Sequence, residues 1–225
     1  MHRDNLERGI LELREEVVAM SGKVCRAIRD SIAHLGSRDL DAAGRLVEAD
    51  EEINRMRYDI EEKCLTLVAT QQPVAGDLRS LFSILEIATE VERIGDYAKG
   101  IARISIAIGG RPLRRPIVTI PIAADKVVQM LEASMRALVS SSPEFAREVA
   151  SRDREIDLLN DRIQREILTF VMEDHREIAE ALHLNWITHN LERAGDRIVN
   201  ICERIVFTAT GEFRDLDEEP AAAGS

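Results

Sequence analysis

Residues 91–104 read VERIGDYAKGIARI, and residues 191–204 read LERAGDRIVNICER. Glu92, Arg93, Gly95 and Asp96 of the first recur in order as Glu192, Arg193, Gly195 and Asp196 of the second. A phrase stated twice at one offset marks a duplicated structural unit. As a helix the phrase carries a cost. Glu and Asp four apart share a face, and like charges at that spacing destabilise by roughly 0.2–0.5 kcal/mol. Something must offset that cost in both copies.

The repeat extends upstream. RLVEADEEINRMRYDIEEKCLTLV at 45–68 precedes the first copy, and EVASRDREIDLLNDRIQREILTFV at 148–171 precedes the second. Asp50, Glu52, Ile53 and Asn54 align with Asp153, Glu155, Ile156 and Asp157. The offset changes only in the turn that follows, where insertions collect. The repeated unit is therefore a helix, a turn and a second helix.

Apolar positions three or four apart, from Leu6 through Val17 and Val24 to Ile32, predict one long amphipathic helix over 4–35. Asp39 is placed to cap a second helix, which starts at Leu40 and stops before Pro73 because the residue before a proline avoids the helical region. A third is expected over 75–108. GGRPLRRPIVTIP at 109–121, with its glycines and prolines, reads as a connector. Further helices are expected over 122–139, over 144–172 after the Ser-Ser-Pro start signal, and from Asp174 to about Thr210. Short turns make sequential helices antiparallel neighbours. The expected fold is all-α: two tandem three-helix bundles, six long antiparallel helices carrying an internal repeat. The first bundle spans 1–110, the connector 111–121 and the second bundle 122–214. A polar tail at 215–225 is expected to fray.

Composition supports that reading and excludes several functions. The 225 residues are 45% hydrophobic, 32% charged and only 4% aromatic, as packed amphipathic helices are. A net charge of −11 argues against a general nucleic-acid binder, which needs a basic face. No stretch approaches the roughly 20 apolar residues of a membrane span, and the N-terminal residues lack a signal-peptide core. Cys25, Cys64 and Cys202 show no paired spacing and read as buried thiols in a reducing cytoplasm.

Glu92 and Asp96 lie about 40° apart around one helix. Glu192, Asp196 and Asn200 make a longer row at successive fours. Asp50 and Asn54, and Asp153 and Asp157, could meet those rows across antiparallel helices. Carboxylate and amide oxygens without sulfur suit a hard divalent cation or iron, which would also offset the like-charge cost. The rival reading is solvated faces and inter-helix ion pairs with Arg93 and Arg193. Gly95 and Gly195 weigh against that rival. A mid-helix glycine costs about 1 kcal/mol relative to Ala, so keeping two implies close approach by another helix or a ligand. His34, His175, His183 and His189 show no metal-binding pair spacing, and Trp186 reads as packing. No phosphate loop, dinucleotide fingerprint or nucleophile-base spacing is present, so no catalytic residue and no organic cofactor are expected.

QQPVAGDLRSL at 71–81 with VERIGDYAKGIA at 91–102 resembles the PhoU family of phosphate-uptake regulators. LERAGDRIVNICERIVF and ATGEF resemble its second repeat. The resemblance implies two three-helix bundles in a cytoplasmic protein without catalytic activity. It also implies iron, zinc, magnesium or similar ions held by Glu92, Asp96, Glu192, Asp196 and Asn200. It further implies a homodimer that joins the ATPase subunit of the phosphate ABC transporter to a PhoR-type sensor histidine kinase and restrains the phosphate-starvation response. Where the second copy has Asn200 the first has Gly100, which implies a different ligand set there. Asp77 and Arg79 match the family's Asp-Leu-Arg phrase. The alternative of another class is a carboxylate-bridged metalloenzyme. The Glu-x-x-His spacing typical of di-iron bundles is missing from the motif face.

Overall fold

A computed structural model describes residues 2–110, 113, 118–213, 215 and 216. Its helices are α1 (His2–Ser37), α2 (Leu40–Gln71), α3 (Ala75–Ile108), α4 (Thr119–Ser140), α5 (Pro143–Ala150), α6 (Asp153–Glu173) and α7 (Ile178–Thr210). A 3-10 turn at His175–Glu177 leads into α7. No strand occurs among the described residues, and no helix there is long and apolar enough to cross a membrane. The remaining residues of the expected connector (111, 112 and 114–117) and tail (217–225) lie outside the described residues.

α1, α2 and α3 form one bundle, and α4, α5, α6 and α7 the other. Lys63 on Glu16 and Lys23 on Glu52 set α1 antiparallel to α2. Lys99 on Asp50 and the Cys64 thiol on the Leu81 carbonyl do the same for α2 and α3. The bundles join side by side, α3 along α7 and α1 along α4. Val17, Met20, Val24, Ile87, Val91, Ile94, Val127, Leu131, Ile187 and Ile198 lie at the centre, each at most 1% exposed. Fully burying such a side chain stabilises by about 1.5–3 kcal/mol, so this shared spine, and not the surface charge, holds the halves together.

The duplication reaches α1 and α4 as well. The Lys23–Glu52 pair at 2.9 Å recurs as Lys126–Glu155 at 2.6 Å. The buried Ser31 hydroxyl donates to the Ile28 carbonyl, and Ser134 donates to Leu131, both at 2.8 Å.

Helix ends follow their local chemistry. Asp39 Oδ1 accepts from the Ala42 amide at 2.8 Å, and Ser142 Oγ accepts from Phe145 at 3.2 Å with Pro143 opening α5. Two expectations need correction. The single helix expected over 144–172 is broken into α5 and α6. The chain turns at Ser151 and Arg152, where the Ser151 amide bonds the Arg147 carbonyl at 3.1 Å. The Arg152 amide then tightens to the Val149 carbonyl at 3.1 Å. The connector is also shorter than expected, because α4 starts at Thr119. Pro121 falls in its first turn, where amides have no intrahelical acceptor.

The three cysteines are free and buried. Burial pushes the Cys25 thiol up to about 12 and Cys64 up to about 11, and raises Cys202 as well. A thiol is nucleophilic only as its thiolate, so these are packing groups.

Candidate metal centres

The two Glu-Arg-x-Gly-Asp phrases dock in the same way, each on the helix before it. A Cβ placed on Gly95 would lie 3.3 Å from Ile53 Cδ1 and 3.5 Å from Val24 Cγ2. A Cβ on Gly195 would press on Ile156 Cδ1 at 3.2 Å and collide with Asp153 Oδ1. The glycines bring α3 against α2, and α7 against α6, beside Asp50 and Asp153. The close approach expected from the retained glycines is present in both bundles.

In the first bundle Asp50 is almost fully enclosed, its side chain 4% exposed. Its Oδ2 accepts from Lys99 Nζ at 2.6 Å and from Asn54 Nδ2 at 3.3 Å. The same ammonium reaches Asp96 Oδ1 at 3.2 Å. Asp50 Oδ1 is buried without a hydrogen-bond partner. Burial, with Asp96 and Asp50 nearby, pushes the Glu92 carboxyl up, while Arg57 and Arg93 pull it down. The hydrogen bond to Asp50 holds the Lys99 ammonium above its ordinary value.

The second bundle puts acidic groups at the same places. Burial pushes the Glu192 carboxyl up, and Asp196 and Asp157 push it further. His189 opposes the shift, its Nδ1 3.2 Å from Glu192 Oε2. Asp157 is raised by burial, then by Asp196 and Asp161. The sign for stability follows. A raised carboxyl stays protonated in the fold where the unfolded chain has released its proton. Stability therefore falls as pH climbs from the ordinary Glu value of 4.5 through the raised value, and the cost is full above it. A cation among these oxygens would remove the cost.

Asp157, Glu192 and Asp196 are hard oxygen donors that repel one another, and this donor set fits a divalent cation. Among the described residues no three ligating side chains already converge on one point, so a cation would have to draw them in by rotamer change. Asn200 is turned elsewhere. Its Nδ2 donates to Glu90 Oε2 of α3 at 3.4 Å, in the seam between the bundles. Arg197 Nη1 meets the same Glu90 oxygen at 3.4 Å, Arg204 meets Glu86 at 2.6 Å, and Arg193 Nε donates to the Tyr97 hydroxyl at 3.3 Å. Gly100 lies in that seam too, where a Cβ would come within 3.3 Å of Asn190 Oδ1. Close packing of α3 on α7 accounts for glycine at the position where the second copy has asparagine.

Lys99 and Arg57 were not singled out by sequence reading, and His189, Trp186 and Arg79 were given no role at the site. Lys99 and Arg57 required knowing which helix faces meet. His189 lies one turn before Glu192, a spacing visible in the sequence. Trp186 is 60% exposed and edges His189 with ring centroids 6.1 Å apart, so it is not core packing. Arg79 closes the far end of the seam. It lies over the Phe207 ring at 5.9 Å and packs on Gly211, which ends α7 in the left-handed region. A guanidinium there meets the negative end of the helix dipole.

The PhoU domain pattern matches this chain twice, over residues 17–105 and 120–205. A PhoU homolog of the phosphate-specific transport system from Clostridium acetobutylicum is 33% identical over 219 residues, covering 97% of this chain and 100% of that protein. The phosphate-specific transport system accessory protein PhoU of Escherichia coli (strain K12) is 32% identical, covering 91% of this chain and 85% of that one. Among solved structures, the phosphate transport system regulatory protein PhoU of Streptococcus pneumoniae superposes with a TM-score of 0.87 at 27% identity, over 93% of this chain and 99% of that one. PhoU from Pseudomonas aeruginosa gives 0.85 at 31% identity, over 92% and 99%. With its duplicated domain, its paired docking glycines and full-length likeness to these proteins, the chain belongs to the PhoU family.

Proposed function

We propose that this chain is a cytoplasmic negative regulator of the phosphate-starvation response and of phosphate uptake. It acts as a non-enzymatic adaptor, as a homodimer, between the ATPase subunit of a phosphate ABC transporter and a sensor histidine kinase of the PhoR type. Its relatives carry the names of accessory and regulatory proteins of phosphate transport. The observation that carries the reading is the pair of Glu-Arg-x-Gly-Asp phrases, docked alike in both halves of a chain that matches this family along its length.

The cation belongs to the second bundle in this reading. Glu192 and Asp196 hold it together with Asp157, and Asn200, turned toward Glu90 in the seam, would join them only by a rotamer change. When bound, it cancels the mutual repulsion of the carboxylates and fixes α6 against α7. Partner capture then rests on the long charged faces of a chain with net charge −11.

Purified protein should bind the kinase's cytoplasmic part or the transporter's ATPase subunit at low salt. Binding should weaken as ionic strength rises, because exposed charges are screened over about 10 Å at 0.1 M. A protein that captures neither partner at low salt contradicts the adaptor role.

A further inference from the structure

We propose that the Lys99 ammonium is a built-in counter-ion that takes the metal's place in the first bundle, so that this chain carries its divalent cation in the second bundle alone. The inference rests on the metal reading of the second bundle given above. The two halves can be compared position by position, because their helices align and their glycines dock alike.

Three exchanges beside the carboxylates act in one direction. Asn54 stands where the second half has Asp157. Arg57 stands where it has Asn160. Lys99 stands where it has Val199, a buried apolar residue. His189, where the first half has Thr89, acts the other way on Glu192 alone, and Arg197, where it has Tyr97, is turned to Glu90. The first half thus sets Asp50, Glu92 and Asp96 among two cationic side chains. The second sets Asp153, Asp157, Glu192 and Asp196 at the matching places, with neutral Asn160 and Val199 where those cations stand.

Lys99 is not a bystander on the surface. Its Nζ bridges α2 and α3, 2.6 Å from Asp50 Oδ2 and 3.2 Å from Asp96 Oδ1. It contacts the carboxylates that a cation would have to bridge. Asp50 adds an independent sign that this is a cation's place. Its side chain is 4% exposed, yet Oδ1 is buried with no hydrogen-bond partner, so one oxygen is left for a ligand that the ammonium does not reach. Entry is open. Asp50, Gly95 and Lys99 line a groove of about 360 Å3 among α1, α2 and α3, with Lys23, Arg26 and Arg45 on its wall. Asp30 and Glu52 line it too, and Lys23 is paired with Glu52 at 2.9 Å, so the groove itself admits a cation and Lys99 is the group that takes its place.

A monovalent, covalently tethered cation behaves differently from a metal. It cannot be chelated or exchanged, so the first bundle keeps its packing whatever the metal supply, and any response to metal is confined to the second bundle.

The test counts Mn2+ bound per chain by equilibrium dialysis of chelator-treated protein. Glu192→Ala with Asp196→Ala, keeping Lys99, should bind no Mn2+. Mn2+ that persists in this protein and is lost on adding Asp96→Ala would overturn the proposal. Adding Lys99→Gln to the double variant should create one Mn2+ site, and further adding Asp50→Asn should abolish it. A folded Lys99→Gln protein that gains no Mn2+ would also overturn it. If Lys99→Gln does not fold, Lys99→Val, which installs the second half's own residue, takes its place, and the first arm decides without either. Unaltered protein that binds no Mn2+ at all would refute the second-bundle reading instead, while the gain on replacing Lys99 would still decide this one.

Discussion

Leu at Gly195 should lower the stability of the fold by about 1–3 kcal/mol, the usual cost of forcing extra methylenes into a filled space. For a chain of this size each kcal/mol moves the melting temperature by about 2–4 °C. The side chain has nowhere to go. Even a Cβ there collides with Asp153 Oδ1 and lies 3.2 Å from Ile156 Cδ1. Gly95→Leu should behave alike, since its Cβ would already stand 3.3 Å from Ile53 and 3.5 Å from Val24. The cost at Gly195 should be the larger, because the buried Asp153 Oδ1 must move as well as Ile156. Removing a glycine from a helix that faced open solvent would instead stabilise by up to about 1 kcal/mol. Denaturation midpoints raised in both variants would therefore reject the docking account of the repeat.

The second large effect is on metal. Glu192→Ala with Asp196→Ala should abolish binding of the divalent ion proposed for the second bundle while helical content stays largely intact. Neither side chain is part of the apolar spine: Glu192 is half-buried and Asp196 exposed. The row is held against α6 by Gly195 and Ile156, which the variant keeps. Metal content per chain, measured before and after, reads the result. An unchanged stoichiometry would remove these residues from the site.

Much of this architecture is legible in the chain itself. The all-α fold follows from apolar steps of three and four residues over long stretches, and the duplication from the two phrases around Gly95 and Gly195. Asp39, Ser142 and Pro143 mark helix starts because capping is local chemistry, readable without knowing the fold. The break at Ser151 is not legible in the same way. Ser31 and Ser134 bond backbone carbonyls inside unbroken helices, so a serine in a periodic stretch does not by itself mark a break. The duplication of α1 in α4 shows as Lys23 and Val24 against Lys126 and Val127, Ser31 against Ser134 and Leu35 against Leu138, scattered identities that do not stand out beside the Glu-Arg-x-Gly-Asp phrase. The site divides along the same line. Its acidic rows are periodic and could be read. The Lys99 bridge to Asp50, the turn of Asn200 toward Glu90 and the exposure of Trp186 depend on which helix lies opposite, and periodicity along one helix does not carry that information.

The most direct test of the central claim is made in cells. An adaptor that restrains a kinase acts by binding, so its loss should release the kinase and abolish no reaction. Deleting the gene should switch on the phosphate-starvation genes in phosphate-replete medium, and the unaltered gene supplied in trans should silence them again. Transcript levels of those genes, measured in replete medium with and without the chain, decide the matter. Expression that rises on deletion and falls on complementation is the result the account predicts. Starvation genes that stay repressed in the deletion strain would contradict it.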